Sequence, residues 1–366
     1  MSAEINTFTE EFVPRRRAWQ LLALFAFSFV SYCILSYFLP HDRYIRYQQL
    51  ADSDLFRTRW VYERIHYDKT PIDVAIIGSS RLETSVSAPI LQKELSEKFG
   101  RPIYVANLAI PQEGRNLHYL VARELLENHP ETRIILVSVV ERADLSHPAF
   151  RYLADPIDLL RAPLFINHYY FLDAAFLPYR QISYFLQSQF PTWFGVSRTF
   201  RKDYAGTGFD TTYSFYLPSG KLVDRYRVLP KEVLDRDSQQ NIQELGGTWR
   251  PSSKWHALNN PLEDEYTKRL VAVAREHCAE TIFVRLPFYK SPPHMYDEAF
   301  YASLAPLLDA EQFNGNFRNY GDRGHFNRSG TDLVSSWLDE AITPYLSPLK
   351  NSASCSKPSS SETSMR

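Results

Sequence analysis

A serine hydroxyl becomes a nucleophile when an imidazole can take its proton, and the imidazole needs a carboxylate to fix its tautomer and stabilise its cation. This 366-residue chain carries those groups in two distant segments. Val74-Ala-Ile-Ile-Gly-Ser-Ser-Arg81 places hydroxyls behind four apolar residues, and Asp322-Arg-Gly-His325 offers a carboxylate and a ring three positions apart. The chemistry they predict is acyl transfer from an ester. Ser80 attacks the carbonyl, His325 acts as general base and then acid, and Asp322 orients His325. A second Asp-x-x-His, Asp144 to His147, follows a strand-like run and competes for the same role.

Such groups work only where a framework brings them together. Val74 to Ile77 reads as a buried strand and Gly78-Ser79-Ser80 as the turn at its C-terminal end, the edge where open α/β sheets do chemistry. The helix after that turn would aim N–H groups at a developing oxyanion. Further alternation follows. A helix near Pro89 to Phe99 closes at Gly100, and a strand from Ile103 to Ala109 leads through Gly114 into a helix from Leu117 to Asn128. Arg133 to Val140 is an Ile/Leu/Val run typical of a strand covered on both faces. The pattern resumes with a helix from Glu265 to Cys278, a strand from Thr281 to Leu286 and a closing helix from Thr331 to Tyr345. Repeated βα units imply a parallel sheet with right-handed crossovers.

Between about 142 and 261 the rhythm breaks into Tyr-, Phe- and Pro-rich sequence, expected as an insertion with its own small core or as a cap over the site. Pro218-Ser-Gly220 reads as a hairpin turn inside it. Asp173, Pro178 and Arg180 interrupt its most apolar part and argue against a second membrane span.

The N-terminus carries an address. Arg15-Arg16-Arg17 precedes a charge-free run from Ala18 to Leu39, about 22 residues and long enough to cross a bilayer. The run reads as an uncleaved signal anchor after a cytoplasmic segment 1–17, with residues 40–70 a juxtamembrane stalk and the bulk of the chain extracytoplasmic. The main domain is then 71–346, and the Ser-rich tail 347–366 is expected to be disordered. A formal net charge of -1 excludes an electrostatic nucleic-acid binder. Three cysteines without ligand spacing argue against a zinc site, and a Gly-rich phosphate loop with Lys is missing at Gly78. No cofactor is implied.

From about Pro71 to Tyr345, the insertion aside, the chain resembles the SGNH/GDSL hydrolase superfamily. Ile77-Gly-Ser-Ser80 looks like its first block, with Ser80 at the nucleophile position. Asp322-Arg-Gly-His325-Phe-Asn-Arg-Ser-Gly330 looks like its last block. Asn107-Leu-Ala-Ile-Pro-Gln-Glu-Gly114 is similar to the second, whose glycine N–H serves the oxyanion hole. The resemblance implies a flavodoxin-like three-layer α/β/α sandwich, with Asn107 and Gly114 in the oxyanion and substrate-binding region. Arg81, beside the nucleophile, is either an anion-binding group or a helix-start residue paired to Glu83 or solvent.

Two blocks depart from the family pattern. Ser79 stands where the family has Asp, and Val140-Glu-Arg-Ala-Asp144 stands where it has an oxyanion-binding Asn. The Glu141-Arg142 pair is similar to one in the alginate O-acetylation group. Anchor, insertion and blocks together look most like membrane-anchored envelope members, including those completing D-alanylation of teichoic acids. That resemblance implies a serine O-acyltransferase or esterase in a bacterial inner membrane, facing the periplasm. Its substrate would be an envelope glycan or acyl carrier, and its partner a membrane-bound O-acyltransferase. The competing reading is a non-catalytic glycan-binding or assembly factor on a degenerate fold of this type.

Overall fold

The computed structural model describes residues 15–139, 145–245, 261–292 and 297–346. Five parallel strands form its centre: β1 (Val74–Ile77), β2 (Val105–Asn107), β3 (Ile134–Val139), β6 (Glu280–Arg285) and β7 (Leu307–Asp309). They lie in the order β2-β1-β3-β6-β7, so the chain winds outward in both directions from β1. This is a doubly wound order, and its switch point lies between β1 and β3.

The strands are hydrophobic throughout because both faces are covered. Along β1, Ala75 and Ile77 enter one core while Val74 and Ile76 enter the other. On the first face lie α6 (Arg115–Asn128) and α11 (Pro261–Glu276), through Leu120, Leu125, Leu270 and Ala274. On the second lie α5 (Ala88–Phe99) and α13 (Arg328–Leu346), through Leu91, Leu95, Val334 and Leu338. Each such side chain stabilises the sandwich by about 1.5–3 kcal/mol. Strand β7 goes unread in the sequence: it is three residues long and only part-buried, which leaves no apolar run to detect.

Residues 40–70, expected as a stalk, are instead part of the domain. They form α2 (Arg43–Gln48) and α3 (Arg57–His66), whose Tyr44, Tyr47, Val61 and Ile65 are fully buried in the first core. Arg57 on α3 is a strut. Its guanidinium donates to the Asn107 carbonyl (2.5 Å) and Thr211 Oγ1 (2.7 Å) and pairs with Glu83 (3.2 Å). An arginine fork can tie three segments in this way because it presents five donors in a fixed plane.

Before α2 runs α1 (Arg15–Tyr37), long and apolar enough to cross a membrane and unburied over its apolar window. The insertion contributes α7 (Phe150–Leu153), α8 (Pro156–Leu160), α9 (Tyr170–Gln189) and α10 (Lys231–Leu245). It also supplies the antiparallel pair β4 (Phe215–Tyr216) and β5 (Leu222–Val223), turning at Gly220 as read from Pro218-Ser-Gly220. Phe150 and Leu153 join the first core, so the insertion shares the main core.

Candidate active site

Strand β1 delivers its chain end to the switch point, where α4 (Ser80–Ser85) begins at once. Gly78 is required by close approach: a Cβ there would lie 2.5 Å from Ser138 Oγ on β3. That hydroxyl accepts the Ser79 N–H (3.3 Å), so β3 holds the turn. Ser79 is the extended residue before α4 and is buried, whereas Ser80 is half-buried and opens to the edge. As the first residue of α4, Ser80 also presents a backbone N–H with no acceptor inside the helix.

The C-terminal block reaches this edge as a tight loop. Tyr320 and Phe326 form an antiparallel bridge, and the Gly321 N–H donates to the His325 carbonyl (3.0 Å). Asp322 Oδ1 accepts the N–H groups of Gly324 (2.8 Å) and His325 (2.9 Å), which turns the carboxylate under the ring. His325 Nδ1 lies 2.9 and 3.0 Å from the two Asp322 oxygens, and His325 Nε2 lies 2.8 Å from Ser80 Oγ. A carboxylate can only accept, so the ring proton resides on Nδ1 and Nε2 is left to accept from the serine hydroxyl. The three groups expected to meet do meet, across 245 residues of sequence.

The Asp322 side chain is more than half exposed (55%). Its pKa still lies below the ordinary aspartate value: partial desolvation pushes it up, and the bonds from His325 and Gly324 more than offset that. The carboxylate is therefore charged at neutral pH, as an imidazolium partner requires.

The insertion braces this loop from behind. The Arg328 N–H donates to the Arg225 carbonyl (2.7 Å), Arg328 Nη1 to Thr212 Oγ1 (2.8 Å), and the Arg328 guanidinium stacks 3.9 Å over the Tyr213 ring. Asn327 is buried, and its amide donates to the Arg318 carbonyl (2.7 Å) while accepting from Gly330 N–H (3.1 Å). Asn327-Arg-Ser329 has the form of a glycosylation sequon, and its asparagine serves here as a structural amide.

Gly114 caps α6 at φ +142°, and a Cβ there would fall 2.3 Å from the His147 backbone nitrogen. Only glycine fits. Gly114→Ala is expected to cost about 2–4 kcal/mol through backbone strain and overpacking. Gly100→Ala, also at positive φ but facing open space, should cost only about 1 kcal/mol. Thermal unfolding of the two variants measures the difference.

The competing histidine is already committed. His147 is buried, its Nε2 donates to the Pro111 carbonyl (2.9 Å) and its Nδ1 accepts the Ala149 N–H (3.0 Å). Burial pushes its pKa down to about 4. The folded chain keeps the ring neutral, while the unfolded chain binds a proton below about pH 6.5. His147 therefore favours folding fully at pH 7, and about 3 kcal/mol of that is lost as pH falls from 6.5 toward 4. Urea unfolding at pH 7 and pH 5 should show a smaller pH difference in His147→Gln.

The remaining expected residues divide. Arg81 neither pairs with Glu83 nor points freely outward: it donates to the Leu286 carbonyl (3.4 Å) and lies over the Phe288 ring. Asn107 is not an oxyanion donor. Its buried amide donates to the carbonyls of Leu82 (3.1 Å) and Val86 (2.8 Å) and pins the far end of α4. Glu141, Arg142 and Asp144 lie outside the described residues. Sequence reading missed Arg115, beside Gly114, which is buried on Glu263 (2.7 Å) and donates to the Ser138 carbonyl (2.8 Å). That network ties α6 to the end of β3, and only the tertiary fold brings its members together. Among the described residues no cluster of His, Cys, Asp or Glu could hold a metal.

No protein-family model matches the chain, and no curated protein is significantly similar to it.

Proposed function

We propose that this protein is a membrane-anchored serine O-acyltransferase or esterase of the SGNH type, acting on an acylated cell-envelope glycan. The observation that carries the reading is the continuous hydrogen-bonded line from Ser80 Oγ through His325 to Asp322 at the switch point of the sheet. The blocks that resemble the superfamily supply these three residues in its order.

The reaction follows from the geometry. Ser80 Oγ bonds to the acyl carbon as its proton passes to His325 Nε2, and the imidazolium forms against the charged Asp322. Backbone N–H groups of Ser80 and Gly114 stabilise the oxyanion. The ester C–O bond then breaks, and His325 returns the proton to the departing alcohol. An acceptor hydroxyl or water attacks the acyl-Ser80 ester with His325 as base, and the proton goes back to Ser80 as the acyl group leaves. An acceptor glycan bound in place of water makes the protein a transferase.

Anchorage through α1 suits a periplasmic face of a bacterial inner membrane, alongside a membrane-bound O-acyltransferase as acyl supplier. A degenerate, purely binding role is disfavoured because the serine–imidazole contact is kept at 2.8 Å. Incubation with p-nitrophenyl acetate and intact-mass analysis tests the reading: a transient single acetyl adduct supports it, and an unmodified chain with no ester turnover refutes it.

A further inference from the structure

We propose that α9 and the segments flanking it form a second membrane contact, a face lying in the lipid interface beside the point where α1 leaves the bilayer. The inference rests on α1 being a membrane span, and not on acyl transfer.

The tether leaves little room for any other placement. α1 ends at Tyr37 and α2, already buried in the domain, starts at Arg43. The last turns of α1 pack against α9: Gln181 Nε2 donates to the Tyr37 carbonyl (3.2 Å), and the Asp42 N–H donates to Ser188 Oγ (2.9 Å). Helix α9 is thereby pinned at the membrane exit of α1.

Its polarity is reversed for a helix on a water-soluble surface. The residues turned into the protein are Asp173, Arg180, Gln181, Gln187 and Ser188 together with Leu177 and Tyr184, while Phe171, Leu172, Tyr179 and Leu186 face outward. The inward groups are held by the protein: Asp173 pairs with Arg151 (2.8 Å), Arg180 donates to the Arg151 carbonyl (2.6 Å) while its Nε has no hydrogen bond among the described residues, and Gln187 accepts from Gln49 (2.5 Å). A surface helix in water carries the opposite arrangement. Asp173 and Arg180 are among the residues that argue against a second membrane span in the sequence, and the fold turns both into the protein.

The apolar face continues beyond the helix. Phe165 before it is 95% exposed, and Trp193 after it is 80% exposed and stacked on Phe190 at 4.8 Å. Isolated exposed apolar residues are ordinary, but this many large ones along one segment mark an interaction surface. Tyr and Trp at its margins suit the headgroup region, where an interfacial helix sinks its apolar side by roughly 5–10 Å. Lipid is the occupant because this face adjoins the exposed apolar surface of α1 itself. The other side of α9 matters too. Tyr169 and Asp173 line a cavity of about 520 Å³ together with Gln112 and Glu113, the residues leading to Gly114. Lipid contact through α9 would set the height of that cavity above the bilayer.

The test uses the full-length chain with Cys33→Ser, Cys278→Ser and Cys355→Ser, labelled with bimane at Leu172→Cys (α9), Phe27→Cys (α1) or Leu222→Cys (exposed on β5). Each is placed as one copy per phosphatidylethanolamine/phosphatidylglycerol nanodisc. Loss of fluorescence to doxyl-labelled lipid at position 172 as at 27, with protection from aqueous iodide and the reverse behaviour at 222, supports the proposal. Iodide access at 172 equal to that at 222 overturns it. Protection from iodide at 172 without quenching by lipid also overturns it, because the chain itself then covers the face. The position 27 arm separates failure of the α9 contact from failure of the anchor.

Discussion

Replacing Ser80 with alanine is expected to lower ester turnover by about 10⁴–10⁶-fold while leaving the thermal unfolding midpoint nearly unchanged. Both halves of that expectation come from the same geometry. The Ser80 hydroxyl is half-buried and its hydrogen bond runs to His325 Nε2, so its removal takes away the nucleophile and little else. The Ser138 hydroxyl, which holds the turn through Ser79, makes the instructive contrast, because its loss should disturb the edge as well as the rate. Rates with a soluble ester and melting curves on the same samples check both parts. Retained turnover in a folded Ser80→Ala chain would remove the serine from the mechanism.

Asp322→Asn is expected to cost about 10⁴-fold in kcat with little loss of stability. The carboxylate receives the ring N–H at Nδ1 and, through Oδ1, two backbone N–H groups of its own loop. An amide of the same shape can keep the backbone bonds with its oxygen, but it then turns an N–H₂ toward Nδ1. The ring answers by moving its proton to Nε2, where it can no longer accept from Ser80. Because the Asp322 pKa is held below the ordinary value, acidification to about pH 5 should not reproduce the variant's defect through the carboxylate. Asp144→Asn, in the competing block, should leave kcat within about twofold, since both ring nitrogens of His147 are engaged elsewhere. Parallel kinetics on the two variants separate the blocks.

How much of this was legible in the sequence depended on how local each signal was. The buried run Val74–Ile77, the left-handed Gly100 closing α5, and the short loop linking Asp322 to His325 are written in neighbouring residues, and all three were readable. The meeting of Ser80 with His325 was expected from the chemistry of the two groups and from the resemblance of their blocks to the superfamily, because local sequence cannot join positions so far apart. Reading failed where a residue's role depends on a distant partner. Asn107 reads as a site residue beside a strand end, yet its amide is spent on the carbonyls of α4. Tyr44 and Tyr47 look like one face of a stalk until the core they enter is known. In α9 the sequence offers Asp173, Pro178 and Arg180 only as a bar to a second span, since the side they face is set by partners on other elements such as Arg151 and Gln49.

The most direct test of the central claim is covalent labelling of the membrane-embedded, full-length chain with a fluorophosphonate, followed by peptide mapping. An activated serine predicts a single adduct on Ser80, lost in His325→Ala while the chain stays folded. An unlabelled Ser80, or labelling that survives the loss of His325, would contradict the account.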